Sequence, residues 1–92
     1  MELIGILYKG SPNESKTKLF NYVITNSMSC LNDPSSIISI CNCFSYMFDE
    51  VTIMSKEIII ETLKSIRNKN TYVYIDDSIL LTLEGFISRS IV

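Results

Sequence analysis

The side chains that could make or break bonds are few in this 92-residue chain, and the most versatile one is missing. There is no histidine, so a Ser-His-Asp triad, a Cys-His pair and a His-ligated metal are all excluded. Lysine, carboxylate and tyrosine remain for proton transfer. The three glycines, Gly5, Gly10 and Gly85, spell neither G-x-x-x-x-G-K-S/T nor G-x-G-x-x-G, so no glycine-rich phosphate cradle is expected.

The three cysteines are Cys30, Cys41 and Cys43. An odd number argues against a secreted disulfide framework. Cys41-Asn42-Cys43 is C-x-C, and a zinc site would need Asp33 or Asp49 as an unusual fourth ligand beside three thiolates. The reading adopted is three reduced thiols acting as small buried hydrophobes, with no metal and no cofactor.

The carboxylates fall into three clusters: Asp49-Glu50, Glu57 with Glu61, and Asp76-Asp77. Glu57 and Glu61 are spaced i, i+4, so on a helix they share a face and repel slightly. Neighbouring carboxylates on a turn point apart, so Asp76 and Asp77 make a poor acid–base pair, and no catalytic residue is assigned. The alternative use is recognition. Carboxylates beside tyrosines (Tyr46, Tyr72 and Tyr74) complement a basic partner. The expected partner-binding set is Asp49, Glu50, Glu57, Glu61, Tyr74, Asp76 and Asp77.

Composition narrows the classes further. Hydrophobic residues make up 47% of the chain and mean hydropathy is +0.26, which excludes disorder as the general state. A 10.5 kDa chain should fold to a surface of about 5,400 Å², enough for a single domain over residues 1–92 with one modest core. The longest uncharged stretch, 34–48, is too short and too rich in serine to span a bilayer. Met1-Glu2-Leu3-Ile4 has no basic region before its apolar run, so no signal peptide is read there and a cytoplasmic location is expected. Alanine and glutamine are absent, and isoleucine occurs 15 times, a bias that follows A+T-rich codons.

Formal charge is −2 and the isoelectric point about 4.9. Residues 63–70 are locally basic (Lys64, Arg67, Lys69), but that run suits the negative end of a helix dipole. Nucleic acid is not an expected partner, because a basic footprint is missing.

These side chains must be held by local elements. Glu2 to Tyr8, ELIGILY, is short, apolar and without clean alternation, and predicts a buried strand. Ser11-Pro12-Asn13-Glu14 predicts a capping box with Pro12 at the first helical position. The first helix is expected from Pro12 to Leu31, with Phe20, Val23, Ile24, Ser27, Met28 and Leu31 on its core face. Asp33-Pro34 repeats the start signal. Residues 34–48 fit either a helix burying Ile37, Ile40, Cys41, Phe44, Met47 and Phe48 or a period-2 strand; the Asp-Pro start favours helix.

Residues 49–54 read as a connector or a short strand. Ser55 is the expected cap of a third helix, Lys56 to Asn68, which buries Ile59, Leu63 and Ile66. From Thr71 the period changes to 2. Thr71–Ile75 and Ile79–Leu83 are read as strands around an Asp76-Asp77-Ser78 turn, and Phe86–Val92 as a third strand. The expected fold is therefore α+β, ordered β-α-α-α-β-β-β, with helices on one face of an antiparallel sheet.

A small acidic domain with these absences resembles an immunity protein or antitoxin in size, charge and composition. That resemblance implies a non-catalytic inhibitor that occludes the basic active site of a cognate toxin, such as a nuclease, by charge-steered binding. Two alternatives belong to other classes. One is a viral or accessory interaction module, including a homodimer. The other is a winged-helix DNA-binding protein, with the third helix in the major groove and Asp76-Asp77-Ser78 at the wing tip.

Overall fold

Helix packing, rather than strand pairing, organises the described residues. A computed structural model describes residues 2–90, without the side chains of Glu2 and Cys30. It contains five α-helices: α1 (Glu2–Lys9), α2 (Asn13–Ser27), α3 (Pro34–Met47), α4 (Ile53–Lys69) and α5 (Val73–Ser90). Short 3₁₀ turns at Met28–Cys30 and Phe48–Glu50 extend α2 and α3. No strand occurs among the described residues.

The α+β expectation is therefore wrong: the protein is all-α. Two segments account for the error. ELIGILYK forms α1, which turns Ile4, Gly5 and Tyr8 inward and leaves Leu3, Ile6 and Leu7 exposed. Being apolar on both sides, it carries no clear period. The expected meander is α5, whose buried Ile75, Ile79, Leu83 and Phe86 follow helical spacing. The expected hairpin is thus absent among the described residues, and the winged-helix reading loses its wing. Ile91 and Val92, the end of the expected last strand, lie outside the described residues.

The middle helices follow their sequence signals more closely. Asp33 caps α3, its Oδ1 accepting from the Ser35 amide at 3.1 Å, with Pro34 at the first position. The other two caps move. Ser11 does not cap α2; its hydroxyl donates back to the Leu7 carbonyl at 2.8 Å, and Pro12 precedes the helix. Thr52, not Ser55, caps α4, and its Oγ1 accepts from the Ser55 amide at 3.2 Å. Asn70 then stops α4 and shapes the turn into α5. It accepts from the Tyr72 amide and donates to the Tyr72 carbonyl, while the Tyr72 hydroxyl donates to the Asn32 carbonyl at 2.6 Å.

α3 is the central element, packed against both α1 and α5. Its buried residues, Ile37, Ile40, Cys41, Cys43, Phe44 and Met47, form one broad face just under half its circumference. α4 packs on α5, whereas α2 meets α4 only sparingly. Phe48, at the end of α3, stacks on Phe86 of α5 with centroids 4.1 Å apart and planes 4° apart. The Arg89 guanidinium closes the side of that stack, 5.0 and 5.1 Å from the two centroids, and binds both Asp49 carboxylate oxygens at 3.0 and 2.9 Å.

The accessible surface is 5577 Å², close to the sequence expectation. The molecule measures 37 × 29 × 17 Å, a slab about two helices thick. Every buried side-chain nitrogen or oxygen among the described residues has a partner; the fully buried Ser27, for example, donates to the Ile24 carbonyl at 3.0 Å.

A candidate partner groove between α2 and α4

Because α2 and α4 touch so little, a trough remains between them. α4 turns Ile59, Leu63 and Ile66 into the core. Its flank beside that stripe carries Met54, Glu57, Ile58, Glu61, Thr62, Ser65 and Lys69, at spacings of three and four that line up along one side. Ile24 of α2 and Met28 of the following turn form the opposite wall. The groove is open to solvent and has a volume of about 710 Å³. Its lining is mainly apolar, and Ile58 and Met54 remain exposed within it.

Toward the N-terminal halves of α2 and α4 the trough becomes more polar. A second cleft of about 500 Å³ is lined by Asn13, Lys16, Thr17 and Asn21 on one side and Glu50, Thr52 and Ser55 on the other. Lys16 Nζ lies 3.8 Å from Glu50 Oε2 and 5.3 Å from the centre of the Tyr8 ring. Burial, and then the Glu50 carboxylate, push the Tyr8 phenol above its ordinary pKa. Ile58 lines both cleft and groove.

The seven residues expected to bind a partner are distributed unevenly. Glu57 and Glu61 sit together on the groove rim, and Glu50 lines the adjoining cleft. Asp49 is held by Arg89. Asp76 forms a two-pronged pair with Arg67, at 3.0 and 3.1 Å, which ties the end of α4 to the start of α5. The Arg67 hydrogen bonds hold the Asp76 carboxyl below its usual range. Asp77 and Tyr74 are exposed near that junction, and Tyr74 meets Tyr72 edge-on, with ring centres 6.3 Å apart.

Four of the six expected carboxylates, Asp49, Glu50, Glu61 and Asp76, thus face cations of the same chain. The Glu61–Lys64 contact is a helix-surface pair, 3.4 Å between two well-exposed side chains. Glu57 and Asp77 have no ion pair among the described residues. Of the basic run, Lys64 and Arg67 are engaged by Glu61 and Asp76.

Sequence reasoning missed the apolar half of the groove. Ile24 and Met28 were expected in the core, and both are only partly buried. The available signal was Ile58, which falls off the Ile59–Leu63–Ile66 stripe and beside Glu57 and Glu61.

Cys41 and Cys43 are buried on α3, as expected of small hydrophobes, while the Cys30 side chain lies outside the described residues. Burial raises the Cys41 thiol from 9.0 to about 11, partly offset by a hydrogen bond with Thr82. No described cluster of three or more Cys, Asp or Glu side chains could hold a metal ion. No described helix is long and apolar enough to cross a membrane. No protein-family model, curated protein or solved structure matches the chain.

Proposed function

We propose that the protein is a non-catalytic binding module and that its partner is a basic protein seated in the α2–α4 groove. The observation that carries this reading is the pairing of an open apolar floor with a carboxylate, Glu57, that has no ion pair among the described residues. An apolar centre with a charged rim is the common anatomy of a protein interface. The setting that composition suggests is inhibition of a toxin, as an immunity protein or antitoxin does. Such binding would cover the toxin's cationic site rather than change it chemically.

Carbodiimide crosslinking of the natural complex, followed by peptide mapping, tests the proposal. It joins carboxylates directly to partner lysines. Crosslinks at Glu57 or Glu61 support the reading. A stable complex whose crosslinks bypass both carboxylates, and which survives Ile58→Asp, overturns it. For the toxin setting, the product of the adjacent reading frame should lose its activity at equimolar chain; an unaffected or non-toxic neighbour argues for another partner.

Self-association is a second reading, favoured by α1. Leu3, Ile6 and Leu7 are 68%, 48% and 56% exposed and lie at i, i+3 and i+4 on one face. Sedimentation should then show a dimer that Ile6→Lys converts to monomer; a concentration-independent monomer rejects this reading.

A further inference from the structure

We infer that the groove's occupant is one amphipathic helix of about three turns, lying antiparallel to α4 with its basic end over Glu57 and Glu61. This rests on the binding reading and specifies the partner's chemistry.

Backbone chemistry selects a helix. The groove walls are helices and the turn that follows α2, with no strand edge among the described residues. An extended segment laid on them would leave its own amides and carbonyls unpaired against Ile24, Met28 and Ile58. A helix satisfies those groups internally and offers side chains at i, i+3, i+4 and i+7. Glu57 to Lys69 is thirteen residues of α4, about 18 Å end to end, which sets the occupant at about three turns.

Charge selects its composition and direction. Glu57 and Glu61 stand one turn apart and repel, and an occupant with lysine or arginine at i and i+4 matches that spacing. Lys64, the one cation beside Glu61, is held loosely enough to be displaced by an incoming charge. At the other end of the groove lies Lys69, without an ion pair among the described residues. The groove is thus negative near the start of α4 and positive near its end. Helices favour basic residues in their last turn and acidic ones in their first. An antiparallel occupant meets both preferences: its C-terminal lysines face Glu57 and Glu61, and its N-terminal acid faces Lys69.

The test uses the full chain and three synthetic fourteen-residue peptides. The first has leucines at i, i+3, i+4 and i+7, glutamate in the first turn and two lysines four apart in the last. The second exchanges the signs of those charges. The third scrambles the first. In amide-resolved NMR titrations the first peptide should become helical and move the signals of Ile24, Met28, Ile58 and Thr62. It should bind about tenfold more tightly than the second. The double variant E57Q/E61Q should reduce that preference to the share supplied by Lys69 while keeping the native spectrum, and a spin label on the peptide's C-terminus should broaden signals near Glu57.

No binding of the first peptide at millimolar concentration overturns the inference. So does equal binding of all three, or a spin label that broadens Lys69 instead. A natural partner that crosslinks to Glu57 yet binds as an extended segment overturns this inference alone. A partner that bypasses the groove overturns the binding reading as well.

Discussion

Gly5 of α1 lies against the backbone of Cys43 in α3, so closely that a Cβ at Gly5 would stand 2.8 Å from the Cys43 carbonyl oxygen and 2.9 Å from its Cα. Both obstacles are main-chain atoms of the central helix, which cannot swing aside as a side-chain tip does. The absence of a side chain at position 5 is what lets α1 approach α3.

Gly5→Ala should therefore separate the two helices and destabilise the fold by about 1–3 kcal/mol. Gly85 is the internal control. It lies inside α5, and a Cβ there would meet nothing within 4 Å. Gly85→Ala should stabilise by about 0.5–1 kcal/mol through helix propensity. Urea unfolding of the two variants should give midpoints displaced in opposite directions; equal displacements would refute the close crossing.

Phe86→Ala should cost about 3–5 kcal/mol, because it empties a fully packed site and exposes the face of Phe48. Arg89 also loses part of the surface it covers. Phe86→Leu should recover most of that loss. Thermal unfolding of both variants checks the ranking.

Asp76 provides an acid-side signature. Its carboxyl titrates below the usual value near 3.8 because Arg67 donates two hydrogen bonds to the charged form. A folded pKa below the unfolded one stabilises the fold above about pH 4, and that contribution is lost as pH falls through the folded value. Asp76→Asn should flatten this part of the stability–pH curve on the acid side of about pH 4, measured by denaturant unfolding at each pH. An unchanged curve would mean that the pair is absent in solution.

Cys41 provides the alkaline counterpart. Its thiol is raised from 9.0 to about 11, so the folded state holds the proton more tightly than the unfolded state. That stability is largely retained below pH 9 and declines as pH rises toward 11, by about 1 kcal/mol per pH unit at the steepest. Cys41→Ser should lower stability at neutral pH but reduce the alkaline slope. At pH 8, iodoacetamide should label Cys41 in the folded chain far more slowly than in urea, read by peptide mass mapping.

The interior of the chain was legible from sequence, and its two flanks were not. α3 declared itself through Asp33-Pro34 and a six-residue buried stripe, and α4 through Ile59, Leu63 and Ile66. At α1, burial of Ile4, Gly5 and Tyr8 is opposed by exposed Leu3, Ile6 and Leu7, so no pattern distinguishes inside from outside. At α5, Tyr72-Val73-Tyr74-Ile75 alternates over four residues, but Tyr72 belongs to the turn and Val73 and Tyr74 are exposed. The longer sequence Ile75, Ile79, Leu83, Phe86 decides, because packing against α3 and α4 overrides local β-propensity. For the site, Glu57 and Glu61 could be read as a pair from their spacing. Their apolar companions could not, because the gap between α2 and α4 arises from how the helices pack.

Ile58 lines both the apolar groove and the cleft around Lys16 and Glu50. Its rotamer is a variable that the two spaces share. A guest pressing on it from one side sets how much room is left on the other, so two guests arriving together would feel each other without touching.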